Sequence, residues 1–269
     1  MKNIFHKMNF RKPALAGFLL LTFLLTANAY SQTGWYLSSS AQLSGGQFLS
    51  DSYTRVLSVY GTIRYQGDDF GITASIPLVN SNGNSVSQSN GMMVQSGPSI
   101  TITTQNNMNF GIGDLYSYFD YKIYSDFEND IDVYLNAQVK IPTASSMLNF
   151  GTGKTDYGGS ISARKSFGSF IGFVDLGYLD IGDPDGIIYK NPFTYGIGIG
   201  KFFNYGEYSL LLYYSGYTKI LDDNGAPQQI SLGANYRASE TIILSFIGSA
   251  GLGDLMPDYT SSIGVRIKL

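Results

Sequence analysis

Gly151-Thr152-Gly153-Lys154-Thr155 has the residue types of a phosphate-binding loop, where backbone amides cradle phosphate and a lysine neutralises it. The spacing fails: such a loop needs a glycine five residues before its Gly-Lys pair, and Leu148 stands there. Gly196-x-Gly198-x-Gly200 and Gly251-x-Gly253 miss the dinucleotide fingerprint in the same way, with Lys201 and Met256 where a third glycine belongs. Glycine at those places suits a strand that makes room for bulky neighbours. Asp183-Pro184-Asp185-Gly186 and Asp222-Asp223-Asn224-Gly225 could offer oxygens to Ca²⁺, yet both read more simply as turns, so no metal is expected.

Hydrolytic chemistry is poorly provided for. The chain has one histidine, His6, and no cysteine. His6 falls in the N-terminal leader expected over 1–29, so Ser-His and Cys-His nucleophiles, imidazole bases and thiolate metal sites have no residues to build them in the remaining chain, and neither an enzyme nor a cofactor is expected.

The ionisable side chains placed mid-strand on polar faces include Arg64, Asp114, Asp120, Lys122, Lys140, Arg164 and Arg237, with Lys154 and Asp156 at one strand's start. In a membrane barrel a lipid-facing charge costs about 2–4 kcal/mol at mid-depth, so these nine are expected to face the lumen. There they can pair and brace the wall, or line a solute path. Lys154 and Asp156 are expected to share one sector with Asp114 and Lys140.

The elements that must position them are legible in composition and period. Charged residues make up 14% of the 269, and 32 are glycine, unlike an ordinary soluble domain. Lys2, Lys7, Arg11 and Lys12 precede an apolar stretch from Ala14 to Leu25 and the small-x-small site Ala27-Asn28-Ala29. That is a signal peptide over 1–29, too short to span a bilayer. Without it 30–269 forms a single domain. Losing those four from 17 basic residues leaves 13 against 20 acidic ones, a net charge of −7 that disfavours nucleic acid as partner.

Twelve runs of about ten residues alternate with period two, starting near Trp35, Tyr53, Phe70, Asn109, Ile131, Thr155, Ser169, Phe193, Glu207, Gln228, Thr241 and Tyr259. Leu57, Val59, Ile63 and Tyr65, for example, alternate with Ser58, Tyr60, Thr62 and Arg64. The runs near Ser169 and Glu207 are apolar on both faces, so their phase is open. Five short connections alternate with six long ones, the longest over 79–108, which is either a surface loop or an infolded constriction. Aromatics bracket the short turns: Tyr65 and Phe70, Tyr124 and Phe127, Phe167 and Phe170, and the cluster Phe202, Phe203, Tyr205 and Tyr208. All this predicts an all-β fold, a single antiparallel transmembrane barrel of about 12 strands with periplasmic turns and extracellular loops. A soluble sandwich would carry more charge on its outer face.

Val139-Lys140-Ile141-Pro142-Thr143 and Gly151-Thr152-Gly153-Lys154-Thr155-Asp156-Tyr157-Gly158, with Gly111-Ile112-Gly113-Asp114-Leu115 upstream and Gly182-Asp183-Pro184 downstream, carry a family likeness. Over roughly 110–186 the chain resembles the outer-membrane family named for the meta-pathway of phenol degradation (phenol MetA-pathway-like). The resemblance implies a barrel transporter of apolar or aromatic compounds. Two departures are Thr143-Ala144-Ser145, where the family has a KPTG-like turn, and the final Leu269, where outer-membrane strands commonly end in Phe.

The function expected is an outer-membrane channel or transporter for passive passage of small, apolar or aromatic solutes through a narrow or gated lumen. The alternative is a structural or adhesive barrel whose loops bind a partner. Expected partners are the solute, the lipid bilayer and the outer-membrane assembly machinery, which would read the C-terminal strand.

Overall fold

The structure, a computed structural model, describes residues 33–47, 53–81, 86–89, 92–95, 109–144, 151–222, 224–253 and 255–269. The leader expected at 1–29 lies outside these residues. Strands β1 (Gly34–Gly46), β2 (Thr54–Gln66) and β3 (Phe70–Ser81) form a meander. A small hairpin, β4 (Val86–Ser89) with β5 (Met92–Gln95), forms a separate sheet in the long connection after it. The wall continues with β6 (Asn109–Ile112), β7 (Leu115–Asp126), β8 (Ile131–Ile141), β9 (Asp156–Phe167), β10 (Phe170–Asp180) and β11 (Phe193–Phe203). It ends with β12 (Tyr208–Tyr217), β13 (Gln228–Arg237), β14 (Ile242–Gly251) and β15 (Tyr259–Lys268).

Neighbouring strands of the wall pair antiparallel, and β1 pairs with both β2 and β15, which closes the sheet on itself. Strands β6 and β7 both pair with β3 and occupy one wall position, so the barrel has twelve. Among the described residues every wall strand is paired on both edges except the short β6, which pairs with β3 alone, so the wall comes close to the full pairing that β-structure in hydrocarbon requires.

Alternation sorts the side chains onto two surfaces. The outer surface carries a band of bare aliphatics, among them Ile72, Leu176 (68% exposed), Ile197 and Ile263 (65% exposed). So large an apolar surface in contact with nothing is compatible only with lipid. Strands of 10–13 residues at the wall positions formed by one strand are long enough to cross the bilayer at a tilt. Aromatic pairs gather at the short-turn end: Trp35–Tyr65 and Tyr65–Phe70 have ring centroids 5.1 and 5.7 Å apart, Phe167–Phe170 6.0 Å, Tyr208–Tyr236 5.0 Å. That is an interfacial girdle. Phe202 departs from it, because its phase on β11 turns it inward.

The wall is irregular at two places. Between β6 and β7 the register with β3 shifts by one residue. Ile112 therefore faces out while Asp114, also at an even position, is buried inside. A second bulge between Lys122 and Tyr124 leaves Ile123 outside.

At the loop end three connections meet. Ile181, Tyr189, Ile220, Leu255 and Met256 pack with Leu179 and Tyr217 into a buried apolar cap, with Ile187 and Leu221 at its edge. Lys190 N donates to Ile220 O at 2.8 Å and joins two of those loops.

Candidate functional site: the lumen

The lumen face is densely filled. Inward side chains in the loop-end half, such as Gln42, Ser44, Thr54, Ser58, Tyr60, Tyr116, Ser231, Thr260 and Ser262, are buried. Toward the short turns several become half-buried: Ser38, Thr62, Arg64, Asn136, Asn235 and Arg266. The lumen thus loosens toward the turn end. A gap of only about 10 Å³, little more than room for one water, remains between Tyr116, Tyr118, Gln138, Lys140, Asp156 and Leu179.

At the loop end a polar knot closes the wall. Lys140 and Asp156 are register partners on β8 and β9, and Lys140 Nζ lies 2.8 Å from Asp156 Oδ2. Lys140 also donates to Thr152 Oγ1 at 2.9 Å and stands 3.9 Å from Asp114 Oδ2. Asp114 Oδ1 accepts from Ala144 N at 3.1 Å, Thr143 Oγ1 donates to Gly113 O at 3.0 Å, and Gly182 N donates to Asp156 Oδ1 at 3.0 Å. Gly151 is required at this spot, since a Cβ there would stand 2.6 Å from Asp114 Oδ1. The sequence segments carrying the family likeness, far apart in the chain, meet in this one cluster. Lys154 does not join it. It lies in the loop before β9, where strand alternation does not act, and its ammonium turns out to Asp185, 3.4 Å away and solvent-exposed.

Near the turn end lies a second group of charges. Arg64 forks onto Asp120, with Nη1 3.0 Å from Oδ1 and Nη2 3.2 Å from Oδ2, and also donates to Thr73 and Gln66. Lys122 pairs with Asp69 of the β2–β3 turn at 3.1 Å. Arg237 donates to Tyr205 O at 3.3 Å and so ties a turn rather than the deep lumen. Arg164 is 5% exposed, and its guanidinium lies over the Tyr134 ring at 4.4 Å. Its Nε and Nη1 have no hydrogen-bond partner among the described residues.

Between these groups runs an aromatic strip whose position the sequence leaves unread. The strands β10 and β12 turn Ile171, Phe173, Leu211 and Tyr213 inward, all buried. Between them β11 presents Gly196, Gly198 and Gly200. Phe173 and Tyr213 are both register partners of Gly198, and their rings stack above it with centroids 5.4 Å apart. Tyr213 Oη donates to Asp175 Oδ2 at 2.6 Å. The signal for this strip is the Gly-x-Gly-x-Gly run itself, which gives no phase to the apolar strands beside it.

The Asp-rich segments serve as turns: Tyr189 N donates to Asp183 Oδ1 at 2.7 Å, Gly186 has φ +84°, and Asp222 pairs with Lys190.

This barrel is shared with solved outer-membrane structures. The COG4313 outer membrane channel from Pseudomonas putida F1 aligns with TM-score 0.66 at 13% identity, over 90% of this chain and 98% of that one. The NanC porin aligns with TM-score 0.55 at 12% identity, over 87% and 100%. The KdgM porin gives 0.52 at 8% identity, over 87% and 99%. No family model matches the sequence, and no curated protein matches it. At these identities the likeness defines the fold: a twelve-stranded barrel of the outer-membrane type.

Proposed function

We propose that the protein is an outer-membrane channel for the passive passage of small apolar or aromatic solutes, with no chemistry of its own. The observation that carries this reading is the buried strip of Ile171, Phe173, Leu211 and Tyr213 over the β11 glycines, a continuous apolar wall in a lumen that elsewhere mixes single residues such as Val56, Tyr60, Tyr116 and Ile247 with polar and charged ones. A barrel needing only to brace itself has no use for aromatic surface there, whereas an aromatic solute gains area and ring contacts from it. The likeness over 110–186 to the phenol-degradation meta-pathway family, and the channel and porin names of the structures sharing the fold, support the same reading. The nine charged candidates then divide. Arg64, Asp120 and Arg164 border the path, Asp114, Lys140 and Asp156 fasten its outer end, and Lys122, Lys154 and Arg237 lie at the rims.

The filled lumen favours a second reading, a structural or adhesive barrel displaying its loops. Liposomes holding purified full-length protein discriminate the two. The channel reading expects toluene or benzyl alcohol to enter faster than in empty liposomes, and absence of both flux and bilayer conductance would sink it. Placement is tested in parallel. The protein should fractionate with outer membranes after signal cleavage at Ala29 and run faster on gels unheated than boiled, whereas release by osmotic shock refutes the membrane site.

A further inference from the structure

Arg164 is the least provided-for charge in the barrel. Two of its nitrogens are buried without a partner, and no carboxylate lies within ion-pair distance of it among the described residues. Its register partner on β8, Asp132, instead accepts from Ser125 at 2.6 Å. The nearest compensation is the Tyr134 ring face, which offers a guanidinium far less than two charge-assisted hydrogen bonds. A buried donor left open in this way is costly unless something else fills it.

The surroundings say what that is. Arg266 on β15 also has no acid within ion-pair distance among the described residues, and Arg64 repels both Arg164 and Arg266. Asp120, Asp132 and Asp175 are the acids that act on Arg164, and each carboxylate is held elsewhere: Asp120 by Arg64, Asp132 by Ser125 and Asp175 by Tyr213. Among the described residues no acid is therefore left free to pair with Arg164, on the side where the lumen wall is half-buried rather than sealed. On its other flank Arg164 is the register partner of Phe173, whose ring stacks on Tyr213. Two open guanidinium nitrogens, Nε and Nη1, thus adjoin the apolar strip.

We propose that Arg164 is an anion site in the lumen that takes the carboxylate of an aromatic acid, the ring lying along Phe173 and Tyr213 and the anion approaching from the turn end. The inference deepens the channel reading, on which it rests for the path the solute follows. It makes the solutes aromatic carboxylates rather than neutral hydrocarbons alone.

The test uses benzoate and its neutral analogue benzyl alcohol on the purified full-length protein in detergent. Benzoate raises the thermal unfolding midpoint in a saturable way, and benzyl alcohol at equal concentration raises it less. Arg164→Gln weakens the half-saturation for benzoate about tenfold or more, the loss of one charge-assisted bond. Arg164→Lys, which keeps the charge without the fork, falls between. Without ligand, Arg164→Gln unfolds no earlier than wild type, because an unmatched buried charge has been removed. Equal shifts by benzoate and benzyl alcohol in wild type overturn the site, whether or not any variant folds. So does a benzoate response that survives in Arg164→Gln, or a ligand-free destabilisation of that variant with the response intact. The channel reading fails separately. Benzoate binding without solute flux sinks the channel, and toluene flux without benzoate binding sinks only the anion site.

Discussion

Lys140 Nζ and Asp156 Oδ2 stand 2.8 Å apart on neighbouring strands, with 3% and 4% of their side chains exposed. The ion pair is therefore nearly dry, and its ammonium reaches a loop hydroxyl, Thr152, in the same stroke. Removing one member of a buried pair strands the other charge and costs about 3–5 kcal/mol, whereas replacing both with apolar residues of similar size is often close to neutral. Lys140→Met should accordingly lower stability by about that amount in urea unfolding from detergent. Lys140→Met/Asp156→Leu should recover most of it, though Asp114, 3.9 Å from the ammonium, loses its partner in both. If the single and double variants are equally damaged, the pair is not what fastens this corner.

The glycines of β11 make a steric prediction. A Cβ at Gly198 would stand within 2.6 Å of the Phe173 ring, and one at Gly196 would collide with the Tyr213 hydroxyl and Asp175. Overpacking of this kind costs about 1–3 kcal/mol. Gly198→Ala should lower the unfolding midpoint and slow aromatic solute entry, because the ring must leave the wall. Gly61, whose Cβ would meet nothing within 4 Å, is the control: Gly61→Ala should change neither.

The contrast between these two regions marks how far the sequence pattern reaches. The twelve strand starts and the short–long alternation of connections follow from period-two patterning, which depends only on each residue facing lipid or lumen. Lys140 and Asp156 are legible as neighbours because consecutive strands are adjacent and both residues have polar phase. Lys154 is not, because it precedes β9, where alternation carries no information. The aromatic strip was hidden for a different reason. When lumen and lipid faces are both apolar, as on β10 and β12, period two remains but its phase is lost. The lumen side of Asp114 does not follow from pattern alone, since the bulge after Ile112 inverts the phase that β6 would give it.

Loop pairing should respond to pH. Lys190 and Asp222 join the β10–β11 and β12–β13 connections, and the ammonium's hydrogen bond and charge hold the Asp222 carboxyl below its usual 3.8. A carboxyl whose pKa is lower folded than unfolded stabilises the folded loop fully above the unfolded value. That stabilisation disappears as pH falls through the lowered one. Amide exchange in 187–192 should therefore be slower in wild type than in Lys190→Met at neutral pH. The two should converge once pH drops well below 3.8, and they should also converge in high salt, since the pair is exposed. A difference that persists in acid would mean lysine acts through packing of its alkyl chain.

The apolar cap offers the sharpest check on gating. Ile220 and Leu255 are 0% exposed, and they come from different loops that meet over the loop end of the barrel beside Leu179 and Tyr217. Truncating a fully buried Leu or Ile to Ala costs about 2–5 kcal/mol, more than a few surface loops can absorb while staying docked. The wall hydrogen bonds do not depend on the cap, so the loss should be local. Ile220→Ala/Leu255→Ala should expose 218–227 and 252–258 to protease while the barrel keeps its heat-modifiable migration. If the cap closes the path, the same variant should show larger bilayer conductance and faster toluene entry than wild type. Nicked loops with unchanged conductance would remove the cap as the gate and leave the packed lumen as the barrier. A barrel that unfolds earlier, with loops no more accessible than before, would show instead that the cluster braces the wall at Leu179 and Tyr217.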